Sequence, residues 1–154
     1  MNLNIVLVEP EIPQNAGNVV RTCAAIGAQL HLVKPLGFSM EDKYLKRAGL
    51  DYWMYADIQL HESLRDLMRI VGDTPYFLFT TKADRMYTEP SYPPDVFLLF
   101  GKETAGLPDS LLEQKRNHCV RLPMQNGLRS LNLSNSVAVA AYEVLRQNGF
   151  EGLK

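Results

Sequence analysis

Short apolar runs alternate along this chain with segments whose apolar residues recur at helical spacing. Near-continuous apolar runs predict strands that are covered on both faces, as in a parallel sheet. The predicted strands are residues 3–8, 29–33, 52–56, 76–80, 96–100 and 119–122. The 3.6-residue spacing predicts helices over residues 16–26, 42–48, 60–70, 107–113 and 133–147, and residues 81–94 are a predicted loop.

The start of the first helix is predicted from local residue chemistry. Pro10 and Pro13 disfavour helix around them, and Asn15 is a good N-cap, so the helix is expected to begin at residue 16. Val19 and Cys23 lie on its apolar stripe. Gly27 is expected to end it, because helices often end on a glycine in the left-handed conformation.

The alternation of strands and helices predicts an α/β fold: a single domain over residues 1–154 with an open, mostly parallel sheet and helices on both faces. Ligands of such sheets bind beyond the carboxyl ends of the strands. The loops that follow Val8, Thr80, Phe100 and Leu122 are polar and carry glycines. A ligand site is therefore expected where these loops meet.

Composition limits the classes of protein that fit. The 154 residues are 46% hydrophobic, enough for a core without disulfide or metal. Cys23 and Cys119 stand in no metal-binding pattern and are expected to be core thiols, and no metal site is predicted. No signal peptide or run of roughly 20 apolar residues occurs, which predicts a cytoplasmic protein without membrane segments.

The net charge limits the kind of nucleic-acid contact that the chain could make. A net charge of −1 does not suit a broad phosphate-binding surface. RNA binding would rest on local patches, namely Lys43, Lys46 and Arg47, and Lys115, Arg116 and Arg129. Each patch read alone is equally a solvated surface. If RNA is bound, a small target whose unstacked bases are read singly fits this charge best.

The first candidate site segment contains Asn15, Gly17 and Arg21. Residues three or four apart share a helix face, so Gly17 and Asn18 can lie on the face of Arg21, opposite the apolar stripe. A helix N-terminus can bind a phosphate, and the guanidinium could contact a phosphate or ribose. The alternative is a capped surface helix with a solvated arginine.

The second candidate segment, residues 100–108, follows a predicted strand and precedes a predicted helix. Gly101 would let the backbone approach a ligand closely. The segment has neither the glycine fingerprint of dinucleotide-binding proteins nor a phosphate-binding loop. The alternative is an ordinary turn in which Glu103 favours the positive end of the next helix.

The third candidate segment, residues 129–136, concentrates hydroxyl and amide side chains before the last helix. Ser130, Asn132, Ser134 and Asn135 are more polar groups than one helix cap needs. They could donate to and accept from a ribose or a carboxylate. An elaborate N-cap is the alternative.

Together and in this order, the three segments resemble the three motifs of the SPOUT superfamily of RNA 2′-O-methyltransferases. The resemblance covers residues 4–149. Residues 4–15 and 47–52 are similar to the minimal, single-domain branch that methylates the wobble ribose of leucine tRNAs. The resemblance implies a C-terminal deep trefoil knot and a homodimer with the active site at the subunit interface.

The resemblance also implies S-adenosylmethionine as methyl donor, with S-adenosylhomocysteine as product. The implied cofactor-binding residues are Phe79, Thr80, Gly101, Glu103, Leu122, Met124, Ser130 and Leu131. The implied RNA-contacting residues, for a tRNA anticodon stem-loop, are Asn15, Arg21, Arg129 and Tyr142. An aromatic at the edge of the core is the alternative for Tyr142.

Methyl transfer to a ribose hydroxyl requires alignment of the reacting atoms and removal of the hydroxyl proton. The resemblance implies Arg21, Ser130 and Asn132 as catalytic residues. Arg21 is expected to reach the cofactor site of the other subunit, where it either takes the proton with help from a substrate phosphate or grips that phosphate. Ser130 and Asn132 would accept or relay the proton.

The predicted function is therefore S-adenosylmethionine-dependent methylation of the ribose 2′-hydroxyl of the wobble nucleotide, cytidine or uridine 34, of leucine tRNAs. A related enzyme acting on another tRNA or rRNA nucleotide is the near alternative. A non-catalytic RNA-binding module is an alternative of another class. A small-molecule nucleotide-binding protein is disfavoured because the phosphate-binding fingerprints are missing.

Overall fold

A computed structural model describes residues 1–154 and contains one six-stranded parallel sheet. The strand order is β3-β2-β1-β5-β4-β6, and every neighbouring pair is parallel. The strands are β1 Asn2–Val8, β2 Gln29–Val33, β3 Asp57–His61, β4 Tyr76–Phe79, β5 Asp95–Phe100 and β6 Cys119–Val120. The predicted α/β fold with a parallel sheet is confirmed.

Helices cover both faces of the sheet. They are α1 Pro13–Ile26, α2 Lys43–Gly49, α3 Leu64–Val71, α4 Asp109–Gln114 and α5 Leu133–Gln147, with 3-10 helices at Leu50–Tyr55 and Arg116–His118. One core holds Ile5 and Leu7 against residues of α1 and α5. The other holds Val6 and Val8 against α3 and α4. All of β1 from Leu3 onward is buried, as its apolar run predicts.

The predicted start of α1 is wrong. The helix begins at Pro13, and Ile12 stands at the N-cap position without a side-chain cap. Proline is tolerated at the first helical position because its missing N–H would have no partner there. Asn15 is therefore inside the first turn and is buried. Gly27 ends the helix at φ 72°, as predicted.

The predictions for residues 52–70 are also wrong in part. Residues 52–55 belong to the 3-10 helix Leu50–Tyr55, Ala56 is extended, and the strand follows at Asp57–His61. The indole N–H of Trp53 donates to Lys46 O at 3.0 Å, which folds this segment back onto α2. Leu60 belongs to β3, and α3 begins only after Ser63, whose hydroxyl accepts from Asp66 N at 3.1 Å.

Some predicted bounds of strands and helices near the carboxyl edge of the sheet also differ from those in the structure. Thr80 and Leu122 lie just beyond their strands, and α4 begins at Asp109, after Pro108.

Both cysteines are buried free thiols, as predicted. No helix combines the length and the apolar character that a membrane crossing would require. No group of three or more His, Cys, Asp or Glu side chains is placed to hold a metal ion.

Candidate functional site

A cavity of about 690 Å³ opens at the carboxyl edge of β4, β5 and β6. Its size is that of a small-molecule site. Four loops and the start of α1 line it. All eight residues predicted to bind a cofactor are among the lining residues, namely Phe79, Thr80, Gly101, Glu103, Leu122, Met124, Ser130 and Leu131. The structure thus brings the second and third candidate segments together.

The first segment contributes to this cavity only through its beginning. Asn15, Asn132 and Arg129 line the cavity, whereas Arg21 and Tyr142 do not. Arg21 is exposed on α1, with its guanidinium carbon 5.3 Å from the ring centroid of Tyr52. Tyr142 is 50% exposed on α5. Within one chain, these two predicted site residues are therefore outside the cavity.

Gly101 allows a backbone contact that no other residue would permit. A Cβ at this position would lie 2.0 Å from the carbonyl carbon of Gly106 and 2.1 Å from Leu107 N. The turn closes because Gly106 adopts φ 72° and its N–H donates to Lys102 O at 2.8 Å. The glycines therefore shape one wall of the cavity, in addition to any ligand contact.

Glu103 joins the second segment to the first. Its Oε1 accepts from Glu11 N at 2.9 Å, and its Oε2 accepts from Ile12 N at 2.8 Å and from Asn15 Nδ2 at 3.2 Å. A carboxylate is favoured here because the N-terminus of a helix carries unpaired N–H groups and positive dipole charge. The helix that Glu103 serves is α1, not the next helix as the alternative supposed.

Asn132 joins the third segment to the same point. Its Oδ1 caps α5 by accepting from Ser134 N at 2.9 Å and Asn135 N at 3.2 Å, and also from the Ser134 hydroxyl at 2.6 Å. Its Nδ2 donates to Asn15 Oδ1 at 3.0 Å. The N-cap alternative is thus correct for Asn132, and the cap is also part of a chain of contacts, Glu103–Asn15–Asn132.

Glu11 returns the contact that Glu103 makes. Its Oε1 accepts from Thr104 N at 3.0 Å and from the Thr104 hydroxyl at 2.7 Å, and these bonds lower the pKa of the Glu11 carboxyl. No pattern in the sequence predicts a role for Glu11 or Thr104. Nothing local signals this pair, since 93 residues separate them.

Two lysines that line the cavity have no role predicted from the sequence. Lys82 lies at the cavity and pairs with Asp109 at 2.5 Å, and Lys102 lies 3.8 Å from Glu9. Arg129 is exposed and has no ion pair within the chain. Because the two lysines face carboxylates, Arg129 is the unpaired cation of the cavity rim. The Ser130 hydroxyl likewise has no hydrogen-bond partner within the chain, unlike Ser134.

These features define a class: an open α/β protein with a small-molecule cavity built from loops at the carboxyl edge of its sheet. The comparison with sequence families narrows this class. Residues 2–142 match the SpoU rRNA Methylase family. The chain belongs to this family.

Individual relatives span nearly the whole chain. A tRNA (cytidine(34)-2′-O)-methyltransferase of Methylovorus glucosotrophus is 49% identical, with 97% of each chain covered. A solved structure that concerns 2-OH methylation of C/U34 on tRNA is 43% identical, with a TM-score of 0.92 and 97% of each chain covered. The SpoU methyltransferase AviRb from Streptomyces viridochromogenes, in complex with the cofactor AdoMet, is 24% identical with a TM-score of 0.83. The match covers 99% of this chain and 59% of the AviRb chain, and it shows the shared fold.

Proposed function

We propose that this chain transfers the methyl group of S-adenosylmethionine to the ribose 2′-hydroxyl of the wobble nucleotide, cytidine or uridine 34, of leucine tRNAs. The observation that carries the proposal is the convergence of all three candidate segments on one cavity through Glu103, Asn15 and Asn132. Support for the reaction comes from the relatives, whose names specify 2′-O-methylation at position 34.

The cavity residues fit S-adenosylmethionine. Leu122, Met124 and Leu131 offer apolar walls for a purine. Residues 100–107 line the cavity, so their main-chain N–H and C=O groups can bond to a ligand there. The cofactor supplies an already activated methyl group when bound. What remains for the protein is to orient the ribose hydroxyl and to manage its proton.

Ser130 and Asn132 have different parts in this proposal. The Asn132 amide oxygen already accepts three hydrogen bonds, so its role is to hold the loop that carries Ser130. The Ser130 hydroxyl has no partner in the chain and is exposed, so it can take the ribose proton while it passes its own proton to solvent. Arg21 grips the phosphate beside the reacting ribose, since a guanidinium stays charged at every relevant pH.

A homodimer would complete the site. Arg21 is outside the cavity of its own chain, which is consistent with a role at the cavity of a second subunit. Val139 and Tyr142 leave 43% and 50% of their surface exposed on one face of α5. An apolar and aromatic face of this kind suits a subunit interface, and Tyr142 is proposed to contact substrate RNA at the shared site.

The C-terminal part of the chain is proposed to form a deep trefoil knot within a single domain, residues 1–154. Arg121 N donates to Arg85 O at 2.9 Å, and Tyr87 N donates to Arg121 O at 2.8 Å. The segment after β6 is thereby bonded to the long loop after β4, before the chain returns to α5. These contacts support a threaded path, which is otherwise rare in proteins.

The tRNA anticodon stem-loop is the proposed partner, in the cytoplasm. Arg129 is exposed at the cavity with a free positive charge, and it is the proposed contact for the entering nucleotide. Asn15 also lines the cavity, but it is buried and bonded to Glu103 and Asn132, so its proposed part is to hold the loops that meet the RNA. Lys43 and Arg47 are exposed on α2 and would contact backbone phosphates. A small basic footprint of this kind suits unstacked loop nucleotides.

Methyl transfer to purified native tRNAs tests the proposal. Leucine tRNAs from cells that lack this gene are expected to accept a labelled methyl group, and other tRNAs from the same cells are not. Calorimetry should show that S-adenosylhomocysteine binds. Equal labelling of all tRNAs would contradict the leucine specificity, and no labelling of any tRNA would contradict the proposed reaction.

A further inference from the structure

The segment 43–55 packs closely on α1, and the proposed function gives it no role beyond a phosphate contact. A Cβ on Gly17 of α1 would lie 2.4 Å from Leu45 O and 2.5 Å from the Ala48 Cβ. The backbones of α1 and α2 are therefore in direct contact at Gly17. This contact fixes the placement of α2, and of the 3-10 helix that follows it, relative to α1.

The 3-10 helix is fixed in turn against α2. A Cβ on Gly49 would lie 2.4 Å from the Trp53 indole nitrogen, so the indole packs directly on the glycine backbone. The same indole N–H donates to Lys46 O at 3.0 Å. Trp53 thus anchors Leu50–Tyr55, and Tyr52 within it has a defined position.

In this position the Tyr52 ring faces the Arg21 guanidinium. Residues four apart on a helix share a face, so Arg21 stands one turn beyond Gly17, on the side where α2 packs. The Arg21 guanidinium carbon is 5.3 Å from the Tyr52 ring centroid, within the range of a cation–π interaction. The Arg21 guanidinium has no ion pair and no hydrogen bond within the chain. The ring is therefore the only charge-specific contact of this guanidinium.

We propose that Tyr52 is a positioning residue for Arg21, and that its ring holds the guanidinium ready for the phosphate of the substrate. This inference rests on the proposed function, because Arg21 is the residue that it serves. The ring face matters and the hydroxyl does not, since the Tyr52 hydroxyl makes no hydrogen bond within the chain.

A set of variants at position 52 separates positioning from simple loss of structure. Tyr52→Leu is expected to lower the rate of methyl transfer at saturating cofactor by about 2- to 5-fold, the value of one cation–π contact at an exposed arginine. Tyr52→Phe keeps the ring face and should transfer at close to the wild-type rate. Affinity for S-adenosylhomocysteine should be the same in all three proteins. Tyr55→Leu is the matched control, because Tyr55 is in the same 3-10 helix, is 72% exposed and contacts no cation.

A double-mutant cycle decides whether Tyr52 acts through Arg21. In an Arg21→Ala background, Tyr52→Leu should have no further effect on transfer. An equal loss in both backgrounds, a wild-type rate for Tyr52→Leu, or an equal loss in Tyr52→Phe would each overturn the proposal.

A readout without catalysis keeps the inference separate from the proposed function. Arginine modification by phenylglyoxal, followed by peptide mass spectrometry, measures how freely each guanidinium is exposed. Tyr52→Leu should raise the modification rate of Arg21 and leave that of Arg65 unchanged, while Tyr52→Phe should change neither. An unchanged Arg21 rate in Tyr52→Leu would overturn the inference even if wild-type transfer is as proposed. If wild-type transfer is absent but the Arg21 rate rises, only the proposed function fails.

Discussion

Replacement of Glu103 by glutamine tests whether the contact between the cavity loop and α1 stabilises the protein. The carboxylate accepts three hydrogen bonds, two of them from main-chain N–H groups at the start of α1. Glutamine keeps one acceptor oxygen and places an NH₂ donor against an N–H donor. Hydrogen bonds to a charged group contribute about 1.5–3 kcal/mol each, but Ile12 is exposed and water can replace part of what is lost.

We therefore expect Glu103→Gln to lower the free energy of unfolding by roughly 2–3 kcal/mol, from one lost charge-assisted bond and the reduced helix-dipole interaction. Urea unfolding followed by circular dichroism measures this loss. The variant should also bind S-adenosylhomocysteine more weakly, because the loop that carries Gly101 is no longer tied to α1. Glu113→Gln is the control, since Glu113 is exposed on α4 without an ion pair or hydrogen bond, and a change within about 0.5 kcal/mol is expected there. A loss in Glu103→Gln no larger than in this control would show that the carboxylate does not stabilise the start of α1.

Three further predictions follow from the same structure. Arg21→Ala should keep S-adenosylhomocysteine affinity and lose most methyl transfer, whereas Arg65→Ala, an exposed arginine on α3, should keep both; unimpaired transfer by Arg21→Ala would reject its role. Gly101→Ala should abolish cofactor binding in calorimetry, because its Cβ would meet the backbone of Gly106 at 2.0 Å; wild-type affinity would show that this turn does not shape the cavity. Burial, with the nearby His61 charge, lowers the pKa of His31 to about 4, while the unfolded side chain titrates at about 6.5. Below about pH 6.5 the His31 side chain takes up a proton when the protein unfolds, so the urea midpoint should fall as the pH drops from about 6.5 towards 4. His31→Asn should make the urea midpoint less dependent on pH in this range, and an unchanged dependence in the variant would contradict the prediction.

The parts of the fold that follow from local residue patterns could be predicted. Apolar runs located five of the six strands, since buried parallel strands must be apolar on both faces. The last helix has the predicted bounds, Leu133–Gln147, because the polar Asn132 cap and the apolar stripe are both visible in the sequence. The cavity could be predicted because the carboxyl ends of parallel strands meet at one edge.

The parts that depend on distant contacts could not be predicted. The Glu103 carboxylate serves the start of α1, 91 residues away along the chain at Ile12, and only the fold reveals this partner. The short strand Asp57–His61 has exposed residues at Asp57, Gln59 and Leu60, so it lacks an apolar run. The position of Arg21 outside the cavity and over Tyr52 likewise depends on how α2 packs on α1.

Mapping the modified nucleotide tests directly whether the protein methylates the ribose at position 34 of leucine tRNAs. tRNA from cells lacking this gene would be incubated with the purified protein and S-adenosylmethionine, digested with nuclease, and analysed by mass spectrometry of the fragments. We expect one new 2′-O-methyl group, on the cytidine or uridine at position 34 of leucine tRNAs. A methyl group on a base, or on the ribose of any other position, would contradict it.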